Sequence, residues 1–400
     1  MDITLVTVSI ICLVVLLLIV LLKRFRQPYL IAYMTAGIAL RPLLDRMRAG
    51  AHQIETIGEM GLLLLMLFIG MEMHIPNKRS LLIKPVIAQL AKTALSVAFA
   101  FLIGNMIHLS TAHSIVLSML FVFNSTPIVS DYLQRNNQLH SAFGIIILNV
   151  LLLQDILLTP ALTILRFISS GKVNLWSLTG AVIACLIVVL LLKSIRNERM
   201  VHVEFFSVFK EDHDLQIFLG LSLCLGFGVL AELAGLTSSI GSFIAGILIG
   251  RTPALHWLER SLNPLRVFFV AFFFMSIGLQ QDISYIITHP LLILAATGLV
   301  LLSNSVLSAL VFRALGFNWT DSFHAGALLA HTGEFGILAC SSAHSIGLID
   351  TYFFKVAIAI TGVSLLLSTA WIQAHQNIFK SIGRSNELLR TSMGQGPRRL

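Results

Sequence analysis

The sequence predicts an all-α polytopic membrane protein of about 13 transmembrane helices, built as inverted repeats in which two discontinuous helices cross. Three observations predict that class. The first is composition: of 400 residues, 56% are hydrophobic and 12% charged, and the mean hydropathy is +0.89. An average soluble domain carries about 25% charged residues, so lipid must be the solvent for most of this surface. A soluble enzyme is excluded on that ground, and a disordered chain is excluded by the apolar fraction. The second observation is a row of apolar segments of bilayer-spanning length. The third is a pair of polar breaks at matching positions in two similar halves. The net charge of +8 reads as basic loops on one membrane face rather than as a nucleic-acid surface.

A helix needs about 20 apolar residues to cross a bilayer. Candidate spans lie near 3–22, 28–43, 56–74, 81–107, 112–133, 140–168, 174–194, 214–234, 237–252, 264–281, 289–313, 321–343 and 351–376. The first span has no basic residue before it, and Lys23, Arg24 and Arg26 follow it. That pattern fits a retained anchor with its N-terminus outside rather than a cleaved signal peptide. The second and third spans carry glycine motifs that return later. YLIAYMTAGIALRP (29–42) is similar to SIGSFIAGILIGRTP (239–253), and LFIGM (67–71) to MSIGL (275–279). Gly37 and Gly246 are 209 residues apart, and Gly70 and Gly278 are 208 apart. In the fifth span, NSTP (124–127) lies 207 residues before HTGE (331–334) in the twelfth. Span 2 thus pairs with 9, 3 with 10 and 5 with 12. An offset of seven spans is odd, so the two copies must lie in opposite orientations. Secondary transporters use such inverted repeats, with a site near the midplane on discontinuous helices. The first repeat is expected at 1–168, a linking seventh helix and cytoplasmic loop at 169–213, the second repeat at 214–378, and a short disordered cytoplasmic tail at 379–400.

Polar residues inside these spans mark the chemistry. In the fifth span, Pro127 removes a backbone donor beside Asn124, Ser125 and Thr126. In the twelfth, Gly333 weakens the helix between His331, Thr332 and Glu334. Irregular backbone at membrane depth is tolerated only where it is buried or lines a wet cavity. In the sixth span, Asp155 lies mid-membrane after Gln154, and no Lys or Arg stands a helical turn away. A charged carboxylate at the bilayer centre costs roughly 2.5–3.5 kcal/mol on insertion scales. Asp155 must therefore be neutral for much of the time or exchange a proton for a cation. Lys92, mid-span in the fourth helix, is either a counter-charge for Asp155 or a snorkelling residue that follows Lys84 along one face. Asn149 and Asn304 read as interhelical hydrogen bonders. Glu59 and Glu232 read as interfacial or capping groups. The four cysteines, Cys12, Cys185, Cys224 and Cys340, all sit in apolar stretches without a CxxC pair, which gives no metal or disulfide framework.

Lys and Arg residues gather on alternate loops. Lys23, Arg24, Arg26, Lys78, Arg79, Arg135, Arg196, Arg199, Arg251 and Arg260 share one side with the tail, against Arg41, Arg46, Arg48, Arg166 and Lys172 on the other. By the positive-inside rule the N-terminus is outside and the C-terminus cytoplasmic. No phosphate loop, HExxH, GxSxG or zinc spacing is present. Gradient-driven transport or a channel remains, with no cofactor beyond the transported ions.

At these residues the chain resembles the membrane domain of bacterial monovalent cation:proton antiporters of the second subfamily, above all the Kef-type potassium efflux systems. The resemblance is carried by QDILLTP (154–160), NSTPIV (124–129), FGVLAELAGLTSSIGSFIAGILIG (227–250), FFFMSIGLQQDI (272–283) and HTGEFGILA (331–339), and covers about 5–375. It implies a six-helix core moving against a dimerisation domain, hence a homodimer in the bacterial inner membrane. It implies an aspartate that binds cation or proton, here Asp155, with Gln154, Ser125, Thr126 and Asn124 around it. His331, Thr332 and Glu334 would support the site from the second broken helix. Electrogenic relatives carry two adjacent acids where this chain has Gln154-Asp155, so one-for-one exchange of potassium for protons is implied. A cytoplasmic regulatory domain or subunit, outside this sequence, is also implied. Competing readings are a sodium/proton antiporter, a sodium-coupled symporter of organic solutes with a related fold, and a cation channel.

Overall fold

The computed structural model describes residues 3–24, 29–47, 51–72, 80–170, 212–234, 236–252, 255 and 257–392, and within them the regular structure is helical. The first half contains α1 (Ile3–Arg24), α2 (Tyr29–Met47), α3 (Ala51–Glu72), α4 (Ser80–Met106), α5 (Thr111–Val122), α6 (Thr126–Arg135) and α7 (Ala142–Ser170). The second contains α8 (His213–Leu233), α9 (Ser238–Arg251), α10 (Trp257–Leu279), α11 (Ile283–Thr288), α12 (Pro290–Ala314), α13 (Trp319–Leu328), α14 (Glu334–Ser345) and α15 (Thr351–Ser392). Every expected span but the seventh coincides with one helix, or with two where a break was expected. The seventh span, at 174–194, lies outside the described residues. Among the described residues, 7 spans are long and apolar enough to cross a membrane, one of them running through the first break, and α1 and α9 hold shorter apolar stretches.

One expectation is corrected. The tail beyond 379 was expected to be disordered, but α15 continues as helix to Ser392. The stretch NELLRTS contains no Gly or Pro to stop it. Between α10 and α12, residues 283–288 form the short helix α11. The Asp282 side chain starts it by accepting the Tyr285 N–H at 3.1 Å.

The helices sort into two bodies. One is a scaffold of α1, α2, α3, α8, α9 and α10; the other is a core of α4–α7 and α12–α15. Each body takes three spans from each half of the chain. The scaffold is held by two crossings that mirror one another. A Cβ on Gly37 would lie 2.0 Å from the Met275 carbonyl oxygen, and one on Gly278 would lie 2.1 Å from that of Met34. In the mirror crossing, a Cβ on Gly246 would lie 2.0 Å from the Leu67 oxygen, and one on Gly70 would lie 2.3 Å from that of Phe243. Shifting each residue of the first crossing by the repeat spacing, 208 or 209, gives the second. Gly61 lies against Phe269, its own counterpart 208 residues on. Small residues let these backbones approach because lipid supplies no hydrophobic drive between helices. The seam between the bodies is apolar, with Tyr33, Met34 and Phe274 of the scaffold packed among Ile128, Phe335 and Leu365 of the core.

Candidate ion-binding site at the crossed helix breaks

Each break follows from its local sequence. Helix α5 ends at Val122, and α6 begins at Thr126 with Pro127 in its first turn. A proline is tolerated there because the first amides of a helix have no intrahelical partner. In the other half, α13 ends at Leu328 and α14 begins at Glu334 after Gly333. The breaks touch. The Gly333 N–H donates to the Phe123 oxygen at 2.9 Å, and a Cβ on Gly333 would lie 2.5 Å from the Asn124 carbonyl carbon. No larger residue permits that approach.

Asn124 ties the crossing together. Its Nδ2 donates to the carbonyls of Leu329 at 3.0 Å and His331 at 2.7 Å. Its own N–H donates to Gln154 Oε1 at 2.9 Å, and its Oδ1 accepts from Gln154 Nε2 at 3.2 Å. Gln154 in turn donates to Gln89 Oε1 at 3.1 Å. The backbone of the second break is held from α12, where Asn304 Nδ2 donates to the Ala330 oxygen at 3.0 Å. From α15, Ser364 Oγ pairs with Thr332 Oγ1 at 2.9 Å. The irregular backbone thus finds partners in the core, as apolar surroundings demand.

Asp155 lies beside this crossing, 3% exposed. Thr126 Oγ1 reaches its Oδ1 at 3.5 Å, a weak hydrogen bond. Glu334 is close enough for the two carboxyls to interact electrostatically. The Glu334 carboxyl and the Ser125 hydroxyl lie side by side without a hydrogen bond of normal geometry. Neither ring nitrogen of His331 makes such a bond either. The N-termini of α6 and α14 bring partial positive charge to the site, while the carbonyls ending α5 and α13 bring partial negative charge. A site of this kind can hold a monovalent cation or a proton on one carboxylate.

Cavities approach along the seam between scaffold and core. One, of about 290 Å³, is lined by Glu72, Arg266, Asp131 and Arg135 and reaches Pro127 and Ser130. Another, of about 660 Å³, is lined by Arg41, Glu59, Ser276 and Gln280 and reaches Glu334. Asp155 lines neither. It is buried away from both.

A family model described as "Sodium/hydrogen exchanger, transmembrane" matches residues 10–375. The chain belongs to that family. This exchanger is similar to an iron transporter, MagA, of Paramagnetospirillum magneticum, with 25% identity over 88% of this chain and 81% of the relative. It is similar to K(+) efflux antiporter 5 of Arabidopsis thaliana, 26% identical over 85% of this chain and 61% of the relative. It is also similar to the glutathione-regulated potassium-efflux system protein KefC of an Enterobacter strain, 26% identical over 85% of this chain. The exchanger spans only 56% of that last relative's length. Among solved structures, the sodium proton antiporter MjNhaP1 of Methanocaldococcus jannaschii superposes with a TM-score of 0.63 at 13% identity, covering 92% of this chain and 95% of that one. The shared architecture is therefore the antiporter fold expected from the sequence.

The structure brings Asn124, Ser125, Thr126, Gln154, Asp155, His331, Thr332 and Glu334 of the exchanger to the crossing. Lys92 also arrives there, which corrects the snorkelling reading. It is 2% exposed, and its Nζ donates to Asn124 Oδ1 rather than reaching the interface. Nor does it form an ion pair with Asp155 among the described residues. Gln89 and Ser364 were missed. Gln89 stands three residues before Lys92 on an otherwise apolar helix, so their shared face was the available signal. Ser364 offered none, since a lone serine in a span bonds its own helix backbone as readily as a neighbour.

Proposed function

We propose that this exchanger trades a monovalent cation, potassium first, for protons by alternating access. The observation that carries the reading is Asp155. It is a carboxylate sealed at the meeting of two helix breaks, beside that of Glu334, and it lines neither cavity of the seam. Charge bookkeeping then gives the coupling. Asp155 carrying a proton is neutral, and so is Asp155 carrying a potassium ion. The empty carboxylate is negative and crosses the apolar barrier only at a cost of several kcal/mol. Only loaded carriers move, so each cation going one way is exchanged for a proton coming back. Gln154 supplies no second charge at this place, which supports one-for-one exchange. The curated potassium antiporters among the relatives support potassium as the ion. The iron transporter among them raises a divalent ion, but no group of three His, Cys, Asp or Glu residues that could hold a metal occurs among the described residues.

The rest of the reading follows the same logic. The repeats run over 1–168 and 214–378, and the core carries Asp155 as it moves against the scaffold. The basic loops, with Arg135 and Arg251 among them, face the cytoplasm, so the cavity bearing Arg266 opens inward and the one bearing Arg41 opens outward. The protein lies in a bacterial inner membrane as a homodimer, and a cytoplasmic regulatory domain or subunit acts on it. It transports and does no covalent chemistry.

The test is exchange in proteoliposomes with an internal pH dye. Potassium, then sodium, then ferrous iron is added to vesicles holding a pH gradient, with the voltage clamped or free. Potassium-driven proton movement that ignores the clamp is expected, and Asp155→Asn should assemble without exchanging. Exchange above background in that variant removes Asp155 from the mechanism.

A further inference from the structure

The two cavities end on residues that the repeat makes equivalent. The inner one ends against Pro127 and the outer one against Glu334. These positions are 207 apart, the spacing that relates the breaks themselves. Strict two-fold symmetry would make the two floors alike. Instead one is a ring that cannot carry a proton, and the other is a carboxyl. The remaining acids of the inner cavity are engaged: Asp131 with Arg135 at 2.8 Å, and Glu72 with Arg266 at 3.6 Å and Gln134 at 3.0 Å. Glu334 has no such ion pair among the described residues. It is 7% exposed, and both of its oxygens are buried outside any hydrogen bond of normal geometry. A polar group left so is costly unless it has a task. Its neighbours are the Ser125 hydroxyl, which also lacks a hydrogen bond of normal geometry, and Asp155, with which it interacts electrostatically.

We propose that Glu334 is a second proton carrier of the exchanger, passing protons between the outer cavity and Asp155, while the inner route has no equivalent group. This rests on the antiport reading and adds the proton's path to it. The step is a proton transfer only. The Glu334 carboxyl gives its proton to the Asp155 carboxylate, directly or over the Ser125 hydroxyl, and takes another from water in the outer cavity. Only O–H bonds break and form. The titratable groups around Glu334 are Asp155 on α7, His331 on its own break, and Arg41 and Glu59, which share its cavity from α2 and α3. The same cavity is lined by Ser276 of α10, by Gln280 just after it and by Phe354 and Ile358 of α15, which do not titrate. Lys92 on α4 is bonded to Asn124.

A cation needs no O–H group to pass, so two transport modes separate the proposal from a structural role. The full chain in proteoliposomes is assayed for rubidium/potassium self-exchange and for potassium/proton exchange across a range of pH. Glu334→Gln should slow proton-coupled exchange by about tenfold or more and flatten its pH profile, as loss of a proton-transfer group does. Rubidium/potassium self-exchange, which needs no O–H group, should fall at least about fivefold less than the proton-coupled mode and keep its pH dependence. Glu334→Asp, which keeps the carboxyl, should restore the proton-coupled mode. Parallel loss of both modes, or no loss in either, overturns the relay. If Glu334→Gln does not assemble, Glu334→Asp decides: a shifted pH profile of the proton-coupled mode alone, with that of self-exchange unshifted, supports the relay, and an unshifted proton-coupled profile overturns it. A wild-type chain that exchanges rubidium for potassium but moves no protons overturns the antiport reading itself.

Discussion

Asn124 shows how much one side chain can hold. Its amide bridges two carbonyls of the second break, its oxygen takes donors from Lys92 and Gln154, and its backbone N–H is bonded to Gln154 as well. Asn124→Ala leaves those carbonyls and donors buried without partners, each at about 1–3 kcal/mol. It should lower the melting temperature far more than Lys92→Met, which removes one donor to an oxygen that keeps its bond from Gln154 and costs about 1 kcal/mol. Thermal melts of both variants in the same detergent check the order. Equal losses would mean that Lys92, not Asn124, holds the crossing. The sequence singled out both residues, yet it gave Lys92 a choice between snorkelling and pairing. That choice depends on which helix faces α4, and spacing along one chain does not report it.

At the scale of elements, the glycine crossings carry the scaffold. Gly246→Ala places a methyl group 2.0 Å from the Leu67 carbonyl oxygen, where backbone rather than a pliable side chain would have to move. Gly226→Ala on the neighbouring α8 meets nothing within 4 Å. The first should cost several kcal/mol by overpacking and reduce the yield of assembled protein; the second should be neutral or mildly stabilising through helix propensity. Size-exclusion profiles and melting temperatures compare them, and a tolerated Gly246→Ala would show that the crossing has slack. These elements were legible in the sequence because membrane spans are long and apolar and both breaks are marked by Pro or Gly. Helix ends were less so. Helix α10 begins at Trp257, seven residues before the expected start at 264, because Trp257-Leu-Glu-Arg-Ser-Leu is polar enough to read as loop but packs Leu258 and Leu262 inward. The helical run from 379 to 392 escaped notice for the same reason, since polarity there hid a stretch with no Pro and a single Gly, Gly383, which the helix tolerates. The site was legible as a set of residues, whereas its wiring through Gln89 and Ser364 depended on contacts between spans far apart in the chain.

For the whole molecule, the proposed mechanism makes relative motion of scaffold and core the working step. The two bodies are tied beside the cavity that holds Arg266 by Gln134 Nε2 of α6, which donates to Glu72 Oε1 of α3 at 3.0 Å. A short bis-maleimide joining Gln134→Cys to Glu72→Cys, in a chain lacking its native cysteines, should stop exchange while leaving the single-cysteine variants active. Undiminished exchange in the cross-linked protein would mean that the bodies do not slide at this edge. The mirrored crossings and the unmatched floors also bear on speed. A gradient decides which way such a carrier runs, and the fold's symmetry would by itself make loading equally quick from either compartment. With Pro127 lining one cavity and Glu334 the other, the proposed relay gives the two halves of the cycle different barriers. Reversing equal and opposite gradients should therefore not reverse the flux at the same rate, and the protein would behave kinetically as a rectifier while remaining thermodynamically reversible.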